Sequence, residues 1–256
     1  MITLKKEHKI ELADTLGGHW YRVICVDHKC KANGKFYPSS TTILNAYPQS
    51  EHLTRWIAEQ GWNESQRIKI AAGERGTMVH TAINALLAGV TLNRKEYIPP
   101  VDGASGSFRA PTTEEWWKIS TYVAWHKEFK PELIVSEFPV LSVKHGYTGT
   151  LDRIYRIGGK IIVTDDKTSG SIHAHFALQV ASYACAVEEM STLKVDETAI
   201  LQLGAKNKNG YRWVLYPDWR KHIDVFLSVK NTWMFDNDVD KDFAPPVLKL
   251  PEKLTL

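Results

Sequence analysis

The stretch Ile161-Ile162-Val163-Thr164-Asp165-Asp166-Lys167-Thr168 decides how this chain reads. Its β-branched residues lie between turn residues, which marks a strand. Alternate side chains of a strand share a face, so Asp165 and Lys167 point together and Asp166 points away. A carboxylate and an ammonium on one face at a strand end form a candidate catalytic pair. The carboxylate can hold a hard divalent cation, and the lysine can steady an attacking hydroxide or a developing negative charge.

Working outward, the preceding β-rich run carries Gly149-Thr150-Leu151-Asp152. Strands joined by a short Gly-containing turn tend to pair, which would set Asp152 beside Asp165. Two carboxylates that close repel unless a cation lies between them. One run earlier still, Glu137 in SEFPV either reaches the same pocket or faces solvent. Downstream, Gln179 and Tyr183 are four apart on the next helix and share a face. Upstream, His80 ends Gly76-Thr77-Met78-Val79-His80 on an apolar helix. Alone, such a histidine reads as half-buried and hydrogen-bonded to backbone.

The rest of the chain supplies the frame. Residues 19–27 read as a strand, and Asn33-Gly34 as the turn of an N-terminal hairpin. The Ser/Thr cluster after Pro38 is a helix-start signal. Helices are expected near 50–61 and 64–88, the second with an apolar stripe of Ile70, Met78, Ala82, Leu86 and Leu87. Gly73 and Gly76 suggest a break in it. Residues 98–113, rich in Pro and Gly, read as a loop, and 113–129 as a helix. Three β-rich runs, a helix, two strands and a helix over 217–235 follow, then a Pro-bearing irregular tail. This order predicts an α/β (α+β) fold with a central mixed β-sheet flanked by helices. One domain over 1–256 is expected, comprising an N-terminal hairpin and Ser/Thr segment (1–48), a helical part (49–130), a catalytic core (131–235) and a tail (236–256).

Composition narrows the class without naming it. With 256 residues, 43% hydrophobic and 24% charged, the chain can bury a sizeable core. A formal charge of +3 is too small to indicate nucleic acid by itself. Three cysteines (Cys25, Cys30, Cys185) are too few and odd for a disulfide framework. MITLKKEHKIEL has no apolar signal core and no apolar run is long enough to span a bilayer, so a cytoplasmic protein with no membrane partner is expected. The group Cys25, His28, Cys30 lacks a second ligand pair at zinc spacing. Trp116, Trp117 and Trp125 read as helix packing, and His173 and His175 as helix-start polar residues.

Taken in order, His80, the GxxD of Gly149 to Asp152, the D-x-K of Asp165 to Lys167 and the Q-x-x-x-Y of Gln179 to Tyr183 resemble the PD-(D/E)XK nuclease superfamily, specifically its RecB-like branch. Pro38-Ser39-Ser40-Thr41-Thr42-Ile43-Leu44 with Trp56 is similar to the N-terminal part of phage-encoded exonucleases and of the mitochondrial genome maintenance exonuclease. The likeness runs from about 38 to 235. It implies a restriction-endonuclease-like core, one or two Mg2+ or Mn2+ ions and phosphodiester hydrolysis of DNA. Asp152, Asp165, the Asp166 backbone carbonyl and His80 would bind metal. Lys167 would orient or activate water, Gln179 and Tyr183 would support the site, and Glu137 is a looser match. Ser39, Ser40 and Thr42 would contact a DNA phosphate. Some relatives carry an iron–sulfur cluster on four cysteines, for which this chain has too few.

The resemblance implies a deoxyribonuclease of recombination, replication or repair, acting on single-stranded or free-ended DNA, with a recombinase or single-strand-binding protein as a further partner. If phage-encoded, it would work in the bacterial host cytoplasm. An endonuclease of the same fold, structure-specific or not, and a non-catalytic DNA-binding module of a recombination complex are the alternatives. Polarity, processivity and oligomeric state are not written in these motifs.

Overall fold

The computed structural model describes residues 2–5, 8–13, 15, 18–25, 30–101, 105–240, 243–248, 251 and 253. The frame is a five-stranded mixed sheet of β4 (Glu132–Ser142), β5 (Tyr147–Ile157), β6 (Lys160–Lys167), β7 (Glu197–Leu203) and β8 (Tyr211–Tyr216), in that spatial order. Every neighbouring pair is antiparallel except β6 and β7, which run parallel. A parallel pair needs a long crossover, and α5 (Ala174–Met190) provides it. β7 is buried along its whole length, its polar Glu197, Thr198 and Gln202 included, as a central strand covered on both faces is.

Strand alternation sorts the core into two layers. Ile154 and Tyr155 are neighbours on β5 and point to opposite faces. Ile154 joins a cluster with Val163, Leu178, Val187, Phe226 and Trp233, contributed largely by α5 and α6 (Arg220–Asp236). Tyr155 joins another with Met78, Ile83, Trp125 and Leu201, under α3 (Trp62–Leu87) and α4 (Thr113–Phe129). The expected helices on both faces of a mixed sheet are therefore present.

A second, antiparallel sheet contains β1 (His8–Ala13), β2 (Trp20–Cys25) and β3 (Phe36–Pro38). Gly34, at φ +77, makes the turn before β3 that Asn33-Gly34 predicts. β1 was not expected, and it turns the hairpin into a sheet. Val23, Cys25, Ala32 and Tyr37 pack on Leu141 of β4. Short α1 (Ser40–Leu44) then leads the chain over the main sheet, where Ser39 bridges Thr148 of β5.

Two expectations need correction. α3 runs unbroken through Gly73 and Gly76, because each isolated glycine costs a helix only about 1 kcal/mol relative to alanine, too little to end one of this length. Ile70 is 64% exposed, so the buried stripe starts only at Met78. α2 (Glu51–Gln60) has no buried residue. No helix among the described residues is long and apolar enough to cross a membrane.

Candidate functional site

The register of β5 on β6 pairs Arg153 with Thr164. One step further along each strand come Asp152 and Asp165, near enough that the Asp152 charge acts on the Asp165 carboxyl. Asp152 Oδ2 accepts a hydrogen bond from the Asp166 backbone N–H at 2.7 Å, tying the two strand ends together. Glu137 of β4 lies beside them, between the pairs Ser136–Arg153 and Phe138–Leu151. Its φ of +49 is left-handed, unusual for a non-glycine residue in a strand. Such strain costs about 1–3 kcal/mol and persists where the surroundings over-determine it. Here Asn84 of α3 donates to Glu137 Oε1 at 3.1 Å.

His80 comes in from α3. Its Nδ1 is 3.7 Å from Asp152 Oδ2, and its Nε2 is 3.2 Å from the Asp166 carbonyl oxygen. One ligand atom each from His80, Glu137 and Asp152 lie within 4.8 Å of one another. Carboxylate and carbonyl oxygens with one imidazole suit a hard divalent cation such as Mg2+ or Mn2+. Asp166 Oδ1, close by, is buried and has no hydrogen-bond partner among the described residues. Burial raises the Asp166 carboxyl, Arg153 and His80 oppose that, and the charges of Asp152 and Glu137 raise it further. The Asp166 carboxylate is neutralised by Arg153, so the fit to a metal rests on the donor chemistry of His80, Glu137 and Asp152, which suits such a cation.

Asp165 belongs to an adjoining half. Its carboxylate is 2.5 Å from Lys167 Nζ and 2% exposed. Burial pushes its pKa up, the Lys167 charge pulls it down, and Asp152 pushes it up again. Lys167 Nζ also donates to Gln179 Oε1 at 3.0 Å and sits 4.7 Å over the Phe176 ring. Gln179 Nε2 in turn donates to the Tyr183 hydroxyl at 3.0 Å. Asp165, Lys167, Gln179 and Tyr183 thus form one chain of contacts, as their spacing suggests. The convergent ligand set, however, comprises His80, Glu137 and Asp152, with Asp165 held by the lysine instead.

His80 and Asp152 from the one half and Asp165, Lys167, Gln179 and Tyr183 from the other line one cleft of about 410 Å³. Its walls include Ala72, Gly73, Arg75 and Gly76 of α3, Lys118 of α4, Thr168 and Ser169 after β6, and Tyr21, Ser39 and Thr41 from the N-terminal part. The two α3 glycines keep that wall low.

Asp166 turns to the other face, as alternation requires, where it forms a fully buried ion pair with Arg153. Arg153 also donates to Asn84 Oδ1 at 2.7 Å. Asn84 therefore links Glu137 to this pair. Neither Asn84 nor Arg153 was singled out from the sequence, yet Asn84 is four residues after His80 and shares its helix face.

Ser40 and Thr42 need correction as surface contacts. Ser40 is fully buried, donating to the Thr148 carbonyl and accepting from Ser182. Thr42 accepts from the His19 N–H. Ser39 caps α1 through the Thr42 N–H and borders the cleft with Thr41, which is exposed and was not expected there. Trp125 is core, as expected, and His173 and His175 stack beside Phe176. His28 of the cysteine-rich segment lies outside the described residues.

No family model matches the chain, and no curated protein matches it. Among solved structures, it is similar to one described as "Crystal structure of SSO0001", with a TM-score of 0.30 and 17% identity. That match covers 46% of this chain and 56% of the other.

Proposed function

We propose that this protein is a metal-dependent DNA nuclease with a restriction-endonuclease-like core. The observation that carries the reading is the meeting, in one cleft, of His80 and Asp152 with the Asp165–Lys167 pair, with the exposed Glu137 carboxylate within 4.8 Å of the first two. The resemblance of the ordered motifs to the PD-(D/E)XK nucleases supports the same reading.

His80, Glu137, Asp152 and the Asp166 carbonyl would hold Mg2+ or Mn2+, with Asp165 beside them. When bound, such an ion would supply Lewis acidity towards the scissile phosphate and an attacking water. Lys167 steadies negative charge as the phosphodiester bond breaks, in a setting where a fixed ammonium counts for more than in water. Asp165 and Gln179 fix its position, and Tyr183 fixes that of Gln179. Arg75 on the cleft wall brings positive charge to a polyanion's path. The substrate is DNA, with single-stranded or free-ended DNA favoured by the resemblance.

The test is digestion of end-labelled single- and double-stranded DNA with Mg2+ and with chelator. Cleavage that needs the metal is expected; metal-independent cleavage, or none of any DNA, overturns the reading. Cutting of circular single-stranded DNA would replace the exonuclease with an endonuclease.

A further inference from the structure

We propose that the N-terminal sheet holds a zinc ion between His8, Cys25 and Cys30, apart from the cleft. The antiparallel register of β1 on β2 pairs His8 directly with Cys25. Directly opposed residues leave the same face of a sheet, with their Cβ atoms about 4.5–5.5 Å apart. Cys30 opens the turn that leads into β3: its carbonyl accepts from the Asn33 N–H at 3.0 Å. Asn33 Oδ1 accepts from the Cys25 N–H at 3.1 Å, so one side chain ties that turn back to the strand end. Through this arrangement an imidazole nitrogen and two sulfurs come within 4.8 Å of one another.

The donor chemistry separates this site from the cleft. Two thiolates and an imidazole favour Zn2+ over the hard cations that carboxylates take. Zinc is tetrahedral, and water can supply a fourth donor. The spacing of Cys25 and Cys30 is insufficient by itself, and the ligand that changes the reading arrives from β1, a strand the sequence did not disclose.

The position gives the ion a structural task. The apolar cluster beneath this sheet is small, with five buried residues, Val23, Cys25, Ala32, Tyr37 and Leu141. A metal joining β1, β2 and the turn before β3 would add stability that this cluster lacks, because binding energy at such a site is folding energy. Tyr21 and Ser39, on the cleft wall, belong to the same N-terminal segment.

The experiment measures zinc in protein purified from zinc-supplemented medium without chelator. About one zinc per chain is expected, retained in Cys185→Ser and lost in Cys25→Ser and Cys30→Ser. Since the last two variants risk misfolding, the wild-type apoprotein is also titrated with Co2+, which should produce thiolate-to-cobalt charge-transfer absorption that Zn2+ then abolishes. Wild-type protein without zinc and without that absorption overturns the proposal. So does zinc retained in Cys25→Ser, or a Cys25–Cys30 disulfide in protein purified under reducing conditions.

Discussion

Gly149 on β5 faces the Tyr183 ring on α5 so closely that a Cβ at position 149 would lie 2.6 Å from Tyr183 Cε1. The glycine is therefore what admits the tyrosine, and through it the line Tyr183–Gln179–Lys167. Gly149→Ala must push the ring aside or shift the strand. Overpacking of this kind costs about 1–3 kcal/mol, read by denaturant unfolding, and DNA cleavage should fall with it. Wild-type stability together with wild-type cleavage would contradict the packing account.

Arg153 and Asp166 form an ion pair at 0% and 1% side-chain exposure. Removing one partner of a buried pair strands the other charge and costs about 3–5 kcal/mol. Arg153→Met and Asp166→Leu should each be strongly destabilising. The double variant should cost less than the sum, because no uncompensated charge remains. A double-mutant cycle by urea unfolding checks this, and simple additivity would count against it.

Asn84 donates to Glu137 and accepts from Arg153, so it aims a proposed metal ligand without touching the metal. Outer supports of this kind are worth about 10–100-fold in metal affinity. Asn84→Ala should raise the Mg2+ concentration needed for cleavage by that factor while leaving the rate at saturating Mg2+ much less affected. A Mg2+ titration of cleavage measures it, and an unchanged midpoint would remove Asn84 from the site.

These residues mark how far the sequence reaches. The order of strands and helices was legible because apolar and turn residues alternate cleanly from 131 to 235. The division of Asp165 and Lys167 from Asp166 follows from strand alternation alone. What could not be read is contact between distant elements. Glu137 joins the ligand set through a left-handed backbone conformation that its sequence, SEFPV, does not announce. Arg153 is charged and fully buried, against the ordinary expectation for arginine, because Asp166 and Asn84 meet it from other elements. Ser40 and Thr42 brace the fold from within while Ser39 and Thr41 border the cleft, a division a sequence cannot make. The unbroken α3 shows that two isolated glycines weaken a long helix without ending it.

The Glu115 carboxyl is held down at about 2 from 4.5, first by hydrogen bonds from Arg109 and also by those from Thr112. A folded-state pKa below the unfolded one gives stability that is fully present above the unfolded value and lost as pH falls towards the folded one. Stability should thus decline between about pH 5 and about pH 2, and Glu115→Gln should decline less over that window. Arg109 is half exposed, so salt should weaken the effect. Denaturation at several pH values, in wild type and variant, measures this difference; equal slopes would refute it.

The central claim is that the Asp165–Lys167 pair serves metal-dependent hydrolysis of DNA. Its most direct measurement is Mg2+-dependent cleavage of end-labelled single-stranded DNA by wild-type protein and by Lys167→Ala, with unfolding curves confirming that the variant is folded. The account predicts cleavage by the wild type and a loss of at least about 10²–10³-fold in the variant, the scale for removing one fixed charge-stabilising group. Cleavage by folded Lys167→Ala at the wild-type rate would contradict it.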